Sequence, residues 1–251
     1  MVLRRAFRVW QRNYTVFTKL YQSSIALNFI EPMLYLLGMG LGMGGYVEPI
    51  HGMSYVQFIA PGIVASSAMF AATFECTYNT YIRMVHQHTF DAILATPVSA
   101  TELVMGEMLW GASKSVLYGV IIIIVLVMFG LVHSPMILVS IPMLLVSGLL
   151  FASLGIIYAS VIPVIYYFNY YFTLFMTPMF LFSGIFFPLD QMPQAVRGVA
   201  FFTPLYHMVN VMRGTAWGGF PWADMLWLTA VTAALVPIAV RKMRLRLMEQ
   251  K

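Results

Sequence analysis

Apolar residues run unbroken through most of this chain, and polar residues collect at a few places between the runs. The stretch Ile121, Ile122, Ile123, Ile124, Val125, Leu126, Val127, Met128 has no alternation at all. Transmembrane barrels are built from alternating segments of about ten residues, so continuous runs predict helices. Between Lys114 and Asp190 lie 75 consecutive residues without Lys, Arg, Asp or Glu, too many for one membrane crossing and enough for three. A crossing needs about 20 apolar residues. The pattern predicts six, at 23–46, 54–80, 103–130, 136–162, 165–187 and 222–240.

The segments between them have their own patterns. At 100° per residue, Leu3, Ala6, Phe7, Trp10, Tyr14, Phe17 and Tyr21 share one arc of residues 1–22, and Arg4, Arg5, Arg8, Arg12 and Lys19 the opposite one. This predicts a basic amphipathic helix lying in the headgroup plane. Five cations and no long apolar core also make the N-terminus unlike a cleavable signal. The first span carries Gly38, Gly40, Gly42 and Gly44, two overlapping GxxxG frames that permit close helix approach. In the polar connector 81–101, Phe90, Ile93 and Leu94 fall at i, i+3, i+4 and predict a short amphipathic helix ended by Pro97. Ser99 and Glu102 then have capping-box spacing for the next helix. Residues 188–221 are apolar but interrupted by Asp190, Pro193, Arg197, Pro204, His207, Arg213 and Gly218, which predicts short re-entrant helices at the outer interface.

Composition narrows the class. The 251 residues are 61% hydrophobic and 9% charged, against about 45–50% and 25% in soluble domains. A soluble domain of this size could not cover its surface, and disorder requires low hydrophobicity. Cys76 is the lone cysteine, so no disulfide framework exists. Lys and Arg gather at both ends, five in the N-terminal tail and five after residue 240. The positive-inside rule therefore places both termini in the cytoplasm, which agrees with an even number of spans. The net charge of +5 is an orientation signal and not the mark of a nucleic-acid binder.

Candidate chemistry is sparse. Gly106, Gly111, Ala112 and Ser113 approach phosphate-loop spacing, but alanine stands where the lysine is required. His86 and His88 are two apart, wrong for one helix face, with no third ligand near, so no metal is expected. No nucleophile, base and acid can be assembled. Glu31 and Glu75 are ionisable groups inside spans and by default functional candidates. They either hydrogen-bond to neighbouring helices, or gate, or contact a substrate headgroup. Arg83 lies about two turns from Glu75, and Lys114 is placed to pair with one of the acids. Tyr166, Tyr167, Phe168, Tyr170 and Tyr171 make either an interfacial aromatic belt or a stacking surface for sugar rings.

Four stretches are similar to the permease family of type-2 ABC exporters (ABC-2), in its nodulation protein J type. They are 31–42 (EPMLYLLGMGLG), 60–76 (APGIVASSAMFAATFEC), 90–99 (FDAILATPVS) and 178–193 (PMFLFSGIFFPLDQMP). The resemblance covers nearly the whole chain in order. It implies an all-α polytopic fold of six transmembrane helices with an interfacial N-terminal helix and outer re-entrant helices, in the bacterial inner membrane. It implies a cytoplasmic coupling helix at 84–97, with His86, Gln87, His88, Thr89, Phe90, Asp91, Ile93, Leu94 and Thr96 facing an ATPase. The partners implied are two ABC ATPase subunits and a second copy of the permease. ATP and Mg then belong to the ATPase, and this chain binds no cofactor of its own and is not an enzyme. The implied cargo is an amphiphile, a glycolipid or lipo-oligosaccharide. A hydrophobic drug and a proton-coupled secondary transporter are the competing readings. The latter fold often shows repeated halves, and none is visible between 23–130 and 136–240.

Overall fold

The computed structural model describes residues 2–249, and the side chains of all of these except 2, 20, 22–28 and 41. The first helix, α1 (Val2–Gly44), runs 43 residues without a break. The amphipathic segment expected at 1–22 and the span expected at 23–46 are thus one helix. No glycine or proline precedes Pro32 to interrupt it. At 1.5 Å per residue it is about 65 Å long, twice the thickness of a hydrocarbon core.

Ser54 and Gln57 form a capping box that opens α2 (Tyr55–Phe74). The helix does not stop at residue 80 as expected. It continues through two π turns, Glu75–Asn79 and Ile82–His86, so that Tyr55–His86 is one apolar helical run. His88 then takes a left-handed backbone (φ 52°) and starts α3 (Thr89–Leu94). This helix is shorter than the expected 84–97, because 82–86 belong to the preceding run. Ser99 and Glu102 cap α4 (Ala100–Met128), as their spacing predicts. A 3-10 turn, Pro135–Val139, leads into α5 (Ser140–Ala159).

The expected span 165–187 is a broken helical track. A 3-10 turn at Ile165–Tyr167 precedes α6 (Phe168–Tyr171), a π turn (Phe172–Met176) and α7 (Thr177–Phe182). Pro178 has no N–H to continue the ladder, and just before it the Phe172 carbonyl accepts both the Thr177 N–H and, at 3.0 Å, the Thr177 hydroxyl. The track ends before Gly184, whose φ of 76° suits glycine. The interrupted segment 188–221 forms α8 (Gln194–Phe201) and α9 (Pro204–Ala216), and α10 (Trp222–Glu249) closes the chain.

Four described helical runs are long and apolar enough to cross a bilayer: Tyr55–His86, Ala100–Met128, Pro135–Ala159 and Trp222–Glu249. Among the described residues there is no strand, only an isolated bridge between Ile50 and Met53. α5 packs between α4 and α10, while α2 and α1 lie against α4.

Small residues make this packing possible. A Cβ placed on Gly111 would meet Cys76 Sγ at 2.6 Å, and one on Gly148 would meet Ser115 Cβ at 2.7 Å and Ala112 Cα at 2.9 Å. Gly155 sits equally close over Cys76 and Thr77. Cys76 is thus a packing residue between α4 and α5. Gly106 receives the N-terminal helix, with Val9 Cβ at 2.6 Å and the Ala6 carbonyl at 2.7 Å from its would-be Cβ. Ala6, Val9 and Asn13 are the buried stripe of that helix, whereas Leu3, Phe7, Tyr14 and Tyr21 are exposed. An exposed apolar stripe beside buried contacts is what a helix floating on hydrocarbon presents. Of the two GxxxG frames only one is used here: Gly40 faces Val56, and Gly38 and Gly42 have nothing nearby.

Overpacking a tight helix contact costs about 1–3 kcal/mol. Gly148→Val should therefore lower the thermal unfolding midpoint in detergent by several degrees, whereas Gly42→Ala should leave it unchanged.

Candidate functional site

Two helices bring four charges to one buried point. The run from α2 supplies Glu75 and Arg83, with Asn79 between them on the same side. On α4, Glu107 and Lys114 are seven apart, two turns along one face. Arg83 bridges both acids: Nη1 lies 2.7 Å from Glu75 Oε1, and Nη2 contacts Glu107 Oε2. Lys114 Nζ donates to Glu75 Oε2 at 2.5 Å, and Asn79 Nδ2 donates to the same oxygen at 2.9 Å. From α1, Asn13 Nδ2 donates to Glu107 Oε1 at 2.7 Å, while the Thr80 hydroxyl donates to Oε2 at 3.3 Å. The two carboxylate side chains are 2% and 1% exposed, so their charges are cancelled by protein groups and not by water.

Such an arrangement is electrically neutral, two anions against two cations. Breaking a buried pair costs about 3–5 kcal/mol, because the remaining charge is stranded. The N-terminal helix is fastened to the same place. Trp10 Nε1 donates to Ser113 Oγ at 2.8 Å, and the rings of Trp10, Tyr14 and Phe17 meet Trp110 edge-on.

The sequence places Arg83 near Glu75 and offers Lys114 as a partner, and the structure joins all three. It does not join Glu31 to them. Glu31 is exposed on α1, beside a separate cleft where Tyr35, Phe70, Phe74 and Phe180 stand with Ser66 and Ser67. Glu107 escaped the sequence reading. Its signal is the i, i+7 spacing to Lys114 within an apolar helix.

The connector residues divide by face. Phe90 is buried and packs with Leu103 and Val104 of α4, and Ile93 and Leu94 are partly buried beside it. His86, Gln87, His88, Asp91 and Thr96 are exposed, and Thr89 is half-buried. His88 Nδ1 and Asp91 Oδ2 lie 3.1 Å apart on the open side. Among the described residues no three His, Cys, Asp or Glu gather as metal ligands do.

The aromatic cluster also splits. Phe168 and Tyr171 are buried against Tyr78, Tyr81 and Tyr158, whereas Tyr166, Tyr167 and Tyr170 are exposed. Only three of the five rings are placed to meet anything outside the chain.

Half-buried Arg213 and buried His207 fasten α9 to its neighbours. Arg213 Nη2 donates to the carbonyls of Gly184 (2.8 Å) and Phe58 (3.2 Å), and its guanidinium lies 3.9 Å above the Phe58 ring. His207 stands between Asp224 Oδ1 and the Phe201 carbonyl, both at 2.7 Å, and stacks on Trp227. At the opposite end, Arg246 Nη1 donates to the Ala159 and Ile162 carbonyls. It puts a positive charge where the α5 dipole is negative.

Fold and site together define a helical membrane protein with a charge-paired polar layer between its helices. The ABC-2 type transporter family model matches residues 4–217, and the chain belongs to that family of transport permeases. Its members are the transmembrane subunits that work with ABC ATPases. The chain is 42% identical to nodulation protein J of Rhizobium leguminosarum bv. viciae over 210 residues, 84% of this chain and 81% of that one. It is 41% identical to nodulation protein J of Rhizobium meliloti (strain 1021), over 82% of this chain and 78% of the relative. It is 22% identical to the inner membrane transport permease YadH of Escherichia coli (strain K12), over 82% of this chain and 80% of that protein.

Contacting charges couple energetically by about 0.5–3 kcal/mol. Arg83→Gln and Glu107→Gln should each destabilise the protein strongly, and the double variant should lose clearly less than the sum. Unfolding in detergent micelles measures this, and strict additivity would show that the two groups do not act as a pair.

Proposed function

We propose that this chain is the membrane-spanning permease subunit of an ATP-driven exporter that moves an amphiphile from the cytoplasmic side outward. The observation that carries this reading is the position of α3. Its buried side, through Phe90, rests on α4, and its open side presents His88 and Asp91. The chain leading into it is the π-helical run that holds Arg83, so a push on α3 reaches the charge layer through six residues of backbone.

The working assembly in this proposal holds two such permeases and two ABC ATPase subunits, with ATP and Mg on the ATPases. Six crossings place both termini in the cytoplasm. The second half of α1 serves as the first and the 165–187 track as the fifth, with α8 and α9 at the outer surface. When the ATPases close, α3 transmits the motion and α1, α2 and the α6–α7 track shift against the second permease. Coupling of this kind needs two discrete arrangements of the same elements. A glycolipid or lipo-oligosaccharide suits the lining: the exposed Tyr166, Tyr167 and Tyr170 offer faces for sugar rings, and the Glu31 cleft offers a carboxylate and hydroxyls among aromatic rings.

The test uses the permease co-expressed with its ATPase. Asp91→Arg alters only the open face of α3, and Phe90→Asp its seat. Both should lower substrate-stimulated ATP hydrolysis about tenfold or more, and Asp91→Arg should do so without changing the unfolding midpoint. Full stimulation in both variants would remove α3 from the coupling path.

A further inference from the structure

Beside the charge quartet lies a cavity of about 320 Å³, bounded by the N-terminal helix, the α2 run and α4. Three cations line it, Arg12, Arg83 and Lys114, together with Val16, Phe17 and Trp110, and Lys114 Nζ lies over the Phe17 and Trp110 rings. The charge count here does not close. Glu75 and Glu107 are balanced by Arg83 and Lys114. Arg12 is a third cation and makes no ion pair among the described residues. Its Nη1 donates to Asn13 Oδ1 at 2.9 Å, and Asn13 spends its own amide on Glu107.

The cavity thus holds one surplus positive charge, on Arg12, and a lining that mixes cationic with apolar side chains. A group that satisfies both is monoanionic, accepts several hydrogen bonds, and carries an apolar chain. We propose that this cavity binds the phosphodiester of a membrane phospholipid, with Arg12 as the residue that decides its affinity. Guanidinium groups suit phosphate oxygens because their N–H donors form a planar fork, and basic pockets between membrane helices hold acidic headgroups in this way. Phosphate oxygens would accept from Arg12, and the acyl chains would leave past Val16 and Phe17. The exposure of Val16 supports that exit. A lipid so placed pins the N-terminal helix to the charge layer, and this assignment goes beyond the transport reading and does not depend on which substrate is moved.

Native mass spectrometry of the purified chain in detergent tests this, with phosphatidylglycerol, diacylglycerol and inorganic phosphate as probes. Wild type should retain one phosphatidylglycerol, and diacylglycerol should not bind. Arg12→Gln should weaken that adduct about tenfold or more, whereas Arg4→Gln, an exposed cation of the same helix, should leave it intact. In wild type alone, phosphatidylglycerol should raise the thermal unfolding midpoint, which keeps the test open should Arg12→Gln fold poorly. Equal retention by Arg12→Gln, or equal binding of diacylglycerol, overturns the proposal. Displacement of the lipid by inorganic phosphate would show a free-anion site and overturns the lipid assignment.

Discussion

A charge between helices in hydrocarbon cannot be left to water, and this constraint organises the half of the protein where α1, the α2 run and α4 meet. Glu75, Arg83, Glu107 and Lys114 meet because each would otherwise be stranded. Their meeting fixes the relative rotation of the α2 run and α4. It also fixes where the N-terminal helix docks, since Asn13 completes the Glu107 shell. The glycines of α4 and α5 do the complementary work. Gly111, Gly148 and Gly155 let the backbones approach until Cys76 and Ser115 fill the gaps. Close packing needs no charge, yet it places the charged faces at a distance where only direct pairing satisfies them.

In the proposed exporter the same geometry gives the connector its mechanical meaning. α3 is not an independent flap. It is seated through Phe90 on the helix that carries Glu107, and it is joined in sequence to the turn that carries Arg83. Two routes, one through packing and one through backbone, therefore lead from the open face of α3 to one salt-bridged centre. A centre in which Arg83 is shared by two acids and Glu75 by two bases is the kind of element that can hold two arrangements of similar energy.

Much of this was legible in the residues. The capping box of Ser99 and Glu102 located the start of α4, and Phe90, Ile93 and Leu94 announced a short helix with one apolar side. The pairing of Glu75 with Lys114 followed from two charges of opposite sign in otherwise apolar helices. Other features were hidden for physical reasons. The π turns after Phe74 have no sequence signature as strong as proline, so the apolar pattern alone ends the run at residue 80, short of His86. Nothing between 2 and 22 or just beyond breaks a helix, and only the environment, not the backbone, distinguishes the two halves of α1. Glu107 sits close enough to Glu102 to pass for part of a polar helix start, although it is 1% exposed. The aromatic cluster reads as one patch in sequence, but helical rotation turns Phe168 and Tyr171 inward.

In this account the chain supplies the passage and a different polypeptide supplies the energy. The most direct measurement reconstitutes the purified chain in sealed proteoliposomes, alone and together with an ABC ATPase subunit, and follows phosphate release and amphiphile movement after ATP addition. The chain alone should release no phosphate and accumulate nothing against a gradient, and both activities should emerge with the ATPase. Nucleotide-driven or uphill transport by the chain by itself would contradict the account.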